Sequence, residues 1–125
     1  MAVPEPTLNA LRVAAHAAAT RQADNVSAVD VADRLGITDA FFFASAPTER
    51  QVKSIIDEIE DDLREQLELK PLRREGQTEG RWVLLDYGHF VIHVQHDEER
   101  ENYALDRLWS DAPQIELPHQ PEPQD

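Results

Sequence analysis

The sequence predicts an α/β domain in which a single mixed β-sheet is packed by helices. Three observations predict it. Ala40–Ser45 (AFFFAS) is a continuous apolar run short enough to be a buried strand. The segment after it repeats apolar residues at helical spacing. Two β-rich runs, Arg81–Asp86 and His89–Gln95, are joined by Tyr87-Gly88, where the glycine can supply the positive φ of a tight turn. A chain of 125 residues is sized for one hydrophobic core. With 41% apolar and 30% charged residues it has the composition of a folded domain with a highly charged surface.

In chain order, Thr7 is expected to cap a first helix running to about Thr20, with Leu8, Leu11, Ala15 and Ala18 forming a narrow apolar stripe. Asn25–Val31 is β-prone, and ADRLGITD after it reads as a turn around Gly36. Beyond the Ala40–Ser45 strand, Thr48-Glu49-Arg50-Gln51 matches a capping box, in which the Thr48 hydroxyl and the Gln51 amide satisfy free backbone donors. Val52, Ile55, Ile56, Ile59, Leu63 and Leu67 then place one apolar face of a long helix against a sheet. Asp57, Glu58, Asp61, Asp62 and Glu65 read as its solvated outer face. Pro71 is expected to stop this helix, and Leu72–Glu75 reads as a short edge strand before the GQTEG turn.

With Tyr87 and Gly88 as a two-residue loop, Trp82 pairs with His93, Val83 with Ile92, Leu84 with Val91, Leu85 with Phe90 and Asp86 with His89. Val83, Leu85, Phe90, Ile92 and Val94 then form a face suited to the core. Trp82, Leu84, Asp86, His89, Val91 and His93 form a mixed face, apolar in the middle and polar around it. That suits either a protein-binding surface or a cover from another helix of the chain. His96-Asp97 begins a last helical segment, DEERENYALDRLWSDA, with acids at its start and Arg107 near its end. Residues 1–112 form the expected domain, and PQIELPHQPEPQD (113–125) reads as a disordered, acidic, proline-rich tail.

Composition narrows the function. Twenty-five acidic against twelve basic residues give a formal charge of −13, which disfavours direct nucleic-acid binding and favours a basic protein partner. The absence of cysteine excludes disulfides and thiolate chemistry. The N-terminal alanine-rich run is interrupted by Arg12 and His16 and reads as a helix of the mature protein. With no span of membrane length, a cytoplasmic location is expected.

Metal and nucleotide chemistry find little support. His89 and His93, four apart on a strand, are separated by roughly 13 Å and cannot share a metal ion; His93 and His96 could only across a turn. Phosphate-binding glycine loops, paired metal carboxylates and a nucleophile elbow are absent from the sequence. No cofactor and no catalysis are expected.

The combination of ITDAFFFASAPTERQV (Ile37–Val52), EGRWVLLDYGHFVIHV (Glu79–Val94) and ENYALDRLWSDA (Glu101–Ala112), in this order, closely resembles the ribosomal silencing factor (RsfS, Iojap-like) family, over about Leu8 to Ala112. The resemblance implies a fold related in topology to nucleotidyltransferases but without known catalysis, and a homodimer. It implies binding to the fourteenth protein of the large ribosomal subunit, blocking small-subunit joining and repressing translation when nutrients are scarce. Carried over residue by residue, it implies partner contacts at Trp82, Leu84, Asp86, Tyr87, His93, Arg100, Leu108 and Trp109, with Trp82 as central anchor. Trp109 either joins that contact or closes the core. Two departures are Ala46-Pro47-Thr48, where members often have Gly-Thr-Ser, and His89, where many have an acid. The competing readings are a divergent nucleotidyltransferase-like enzyme and a generic dimeric protein-binding module.

Overall fold

Five strands hydrogen-bond in the order β1-β2-β5-β4-β3 in the computed structural model, which describes residues 3–117. The strands are β1 (Asp24–Asp30), β2 (Ala40–Ala46), β3 (Arg73–Glu75), β4 (Trp82–Asp86) and β5 (Phe90–His96). Only β2 and β5 run parallel; the other neighbours are antiparallel, so the sheet is mixed as expected. Helices α1 (Glu5–Thr20) and α3 (Glu49–Leu67) cover one face. There Leu11 and Ala14 of α1, and Ile55, Ile59 and Leu63 of α3, meet Phe42, Val83, Leu85, Ile92 and Val94 of the sheet. Small α1 residues, Ala10, Ala14, Ala17 and Ala18, are fully buried, which suits close packing of α1 beside α3.

Several boundaries differ from expectation for local reasons. Helix α1 begins at Glu5 after Pro4, with Pro6 in its first turn, where a missing N–H costs nothing; Thr7 lies inside the helix and is buried. ADRLGITD holds a short helix, α2 (Ala32–Leu35), closed by Gly36 at φ 70°. Helix α3 ends before Pro71 acts: Glu68 adopts φ 58°, and the Glu68 and Leu69 N–H groups donate back to the carbonyls of Arg64 and Leu63.

At the start of α3, the Thr48 hydroxyl accepts from the Gln51 N–H at 3.1 Å. The Gln51 amide does not return to Thr48. It donates instead to the carbonyls of Arg21 and Gln22, tying the end of α1 to the start of α3.

The hairpin register is two residues from the expected one: Trp82 lies opposite Gln95, Leu84 opposite His93 and Asp86 opposite Val91. The turn is displaced by one residue: Tyr87 N–H donates to the Phe90 carbonyl, so Gly88-His89 and not Tyr87-Gly88 forms the tip, and Asp86 Oδ1 accepts from Gly88 N–H at 2.8 Å. A shift of two preserves side-chain parity, so both faces keep the predicted strand residues.

The last helical segment is not continuous. It divides into α4 (Asp97–Asn102), capped by His96 Nδ1, and α5 (Leu105–Leu108), with Tyr103 and Ala104 between them. Backbone contacts to the sheet continue past residue 112. Pro113 accepts from Asp30 N–H, Gln114 bridges Val29, and Ile115 N–H donates to the Ala28 carbonyl. Residues 118–125 of the expected tail lie outside the described residues.

Candidate docking face

The face of the sheet away from α1 and α3 carries the predicted mixed set. Parity directs Phe41, Phe43 and Ser45 of β2, Val91, His93 and Gln95 of β5, and Trp82, Leu84 and Asp86 of β4 to this side. Strand register then aligns them in rows: Phe41–Val91–Asp86, Phe43–His93–Leu84 and Ser45–Gln95–Trp82.

The C-terminal segment covers part of this face. Leu105, Trp109 and Ala112 pack with Val29, Val31, Phe41 and Phe43 over β1 and β2. Trp109 stands edge-on to Phe41 at 5.7 Å, and Tyr103 lies over Trp82 at 5.8 Å. Of the two alternatives held open for the mixed face, cover by another helical segment of the chain is therefore seen on one half, and the other half is left uncovered by it. Over β5 and β4, Leu84 and Val91 stay half-buried, and with Phe41, Ile37 and Leu72 they line a shallow hollow of about 350 Å³. Ile37 is 83% and Leu72 73% exposed, so large apolar groups stand in solvent around an already apolar floor.

Polar groups ring the hollow. Asp86 meets Arg73 at 3.4 Å, and His89 at the hairpin tip meets Asp39 at 3.7 Å. This is an apolar centre with a charged rim.

The proposed contact residues occupy different environments. Trp82, Leu84 and Asp86 are half-buried on the face itself, Trp109 is half-buried on the covering segment, and Leu108 is exposed on α5. His93 forms the floor: it is 6% exposed, stacks on Phe43 at 5.6 Å and meets the edge of Phe41 at 5.5 Å. Its Nδ1 accepts from the Trp82 indole N–H at 3.2 Å, and burial pushes its pKa down to about 4.

Tyr87 and Arg100 lie away from the hollow, Tyr87 on the helix side of the sheet and Arg100 by Ser45 at the far end of the outer face. Tyr87 is 8% exposed, stacks on Phe90 at 4.8 Å on the helix side of the sheet, and has its pKa raised by burial. Arg100 is 8% exposed and donates to the Ser45 hydroxyl at 3.4 Å. Each offers little surface to a partner, and each supports the element that carries it. Ile37, Leu72 and Phe41 escaped sequence reasoning. The available signal was two solitary large apolar residues in polar turn segments, and the alternation of the β2 run.

A second, polar cleft of about 920 Å³ lies at the other end of the covering segment, between Asn25, Ser27 and Ser45 and the residues Asp97, Arg100 and Arg107. Asp24 beside it has its pKa raised, first by burial and then by the nearby Asp97 carboxylate. Among the described residues no group of three or more His, Asp and Glu converges to hold a metal ion, and no helix is long and apolar enough to cross a membrane.

Residues 4–125 match the family model described as RsfS, ribosomal silencing factor during starvation. The chain is 39% identical over 108 residues to the ribosomal silencing factor RsfS of Halalkalibacterium halodurans, covering 86% of this chain and 91% of that protein. It is 37% identical to the RsfS of Bacillus subtilis, with 86% and 90% covered. A crystal structure of a Bacillus halodurans protein superposes with a TM-score of 0.75 at 34% identity, covering 87% of this chain and 98% of that one. Sequence match and shared fold agree over nearly the whole chain, and the protein therefore belongs to the RsfS family of ribosomal silencing factors.

Proposed function

We propose that this protein represses translation under nutrient limitation by docking onto the fourteenth protein of the large ribosomal subunit and sterically blocking the small subunit from joining. The observation that carries this reading is the half-open outer face, where Trp82, Leu84, Val91 and Phe41 form an apolar surface beside the exposed Ile37 and Leu72. Membership of a family of ribosomal silencing factors supplies the ribosome as target. The formal charge of −13 suits a basic ribosomal protein, steering encounter while the apolar centre provides affinity.

Trp82, Leu84 and Asp86 make direct contact in this reading, Leu108 and Trp109 border it, and His93, Tyr87 and Arg100 support it from within. The mechanism is occlusion, so it needs neither cofactor nor catalysis, and it operates in the cytoplasm, where ribosomes work. The free protein is read as a homodimer.

Sedimentation tests the proposal. The protein should travel with isolated large subunits and be absent from assembled ribosomes, and prior addition should reduce subunit joining. Recovery only in ribosome-free fractions, with large subunits present at micromolar concentration, would overturn it. Sedimentation equilibrium of the free protein checks the dimer, whose mass should be twice 14.2 kDa.

A further inference from the structure

Five rings cross the outer face in an unbroken row: Trp109, Phe41, His93, Trp82 and Tyr103, with neighbouring centroids between 5.5 and 6.2 Å apart. We infer that His93 is the positioning residue of the docking face, its Nδ1 accepting the Trp82 indole N–H and thereby fixing the orientation in which Trp82 meets a partner. The inference rests on the reading of this face as the docking surface and assigns His93 a role distinct from contact.

The geometry favours His93 as the fixed member of the pair. It lies on β5, hydrogen-bonded on both sides by β2 and β4, and its ring is held by Phe43 below and Phe41 at the side. Trp82 sits at the first position of β4 and is half-buried, so its backbone and ring are less constrained. An indole has one donor, and directing it at a fixed acceptor selects one orientation of the ring. For Nδ1 to accept, the ring proton must reside on Nε2, so His93 is defined as one neutral tautomer. Burial keeps it so at neutral pH, since its pKa lies at about 4.

Two substitutions separate positioning from packing. His93→Phe keeps a ring against Phe43 and Phe41 but removes the acceptor. His93→Asn places a carbonyl oxygen where Nδ1 stands but removes most of the ring. If His93 positions Trp82, His93→Phe should stay close to wild-type thermal stability yet bind isolated large subunits about tenfold more weakly, the scale of one lost oriented hydrogen bond. His93→Asn should unfold at lower temperature yet bind within about threefold of wild type.

The indole N–H resonance of Trp82, assigned by its disappearance in Trp82→Phe, supplies a readout independent of the ribosome. It should shift upfield and exchange faster with solvent in His93→Phe, and be retained in His93→Asn. Affinity that tracks thermal stability across both variants, or an unchanged indole signal in His93→Phe, would overturn the inference. Failure of the wild-type protein to bind large subunits would overturn the docking reading instead, while the indole signal would still decide whether His93 holds Trp82.

Discussion

At the scale of single residues, Trp82 separates a docking role from a core role. It is half-buried, and one side of its surroundings is the covering Tyr103 rather than the main core. Trp82→Ala should therefore weaken large-subunit binding by about 2 kcal/mol or more while unfolding remains cooperative. Loss of cooperative unfolding would show that Trp82 is instead required for the fold. His93 makes a second prediction, in pH. Its folded pKa of about 4 lies below the ordinary 6.5, so the unfolded chain binds the proton more readily. Stability contributed by the neutral ring is complete above the unfolded value and is lost as pH falls from about 6.5 to about 4. Asp62 acts with opposite sign, its pKa raised to about 6, first by burial and then by hydrogen bonding to Glu58. The stability difference between wild type and His93→Phe isolates the histidine: small at neutral pH, it should open by about 3 kcal/mol in favour of His93→Phe as pH falls across that window in urea titrations. A difference that does not vary with pH would mean that His93 titrates alike in the two states. The alternation of β4 and β5 made the two faces legible from sequence, and parity protected that reading from the register error. Tyr87 and Arg100 were not legible in the same way, because what buries them, the helix-side core and Ser45 at the end of β2, is distant in sequence.

At the scale of elements, sequence was informative where local chemistry decides and silent where distant partners do. The Thr48 cap and the Ile55–Ile59–Leu63 stripe follow from neighbours in sequence, and both occur as read. Thr48→Ala should lower global stability by about 1 kcal/mol, measured by chemical denaturation, because one N–H at the start of α3 loses its acceptor. An unchanged midpoint would mean that water replaces the hydroxyl fully. The destination of the Gln51 amide was not readable, since its acceptors are placed by the left-handed turn at Gln22, φ 59°. The break at Tyr103 has a similar cause. Gln95 donates to the Tyr103 carbonyl at 3.2 Å while the Tyr103 ring lies over Trp82, and these contacts from β5 and β4 compete with a continuous helix. Arg81 works across elements too, joining Glu49 of α3 to Glu98 and Glu99 of α4 beside the start of β4.

At the scale of the whole molecule, composition pointed to one acidic domain ending at Ala112, while contacts to the sheet and core continue to Leu117. Proline-rich, weakly apolar sequence after Ala112 signals little to bury, whereas the contacts of residues 113–115 are made with an edge strand that needs covering. β1 lies at the edge of the sheet, and residues 113–115 supply its missing partner: Pro113 accepts from Asp30, and Ile115 donates to Ala28. Ile115 and Leu117 then pack against the main core. A chain ending at Ala112 should consequently lose two kinds of support. It leaves β1 backbone groups without protein partners, and it exposes apolar surface that these two side chains cover. The expected loss is about 2–4 kcal/mol in denaturant unfolding, together with concentration-dependent association seen by light scattering, because an uncovered strand edge can pair with another chain. Ile115→Ala in the full-length protein separates the two contributions. It removes apolar burial but keeps the backbone bonds, so it should reproduce part of the stability loss without the association. If the truncated chain matches the full chain in both stability and size, residues 113–117 add nothing to the fold and the domain does end at Ala112. If Ile115→Ala associates as strongly as the truncation, apolar exposure rather than the open edge of β1 drives the contact between chains.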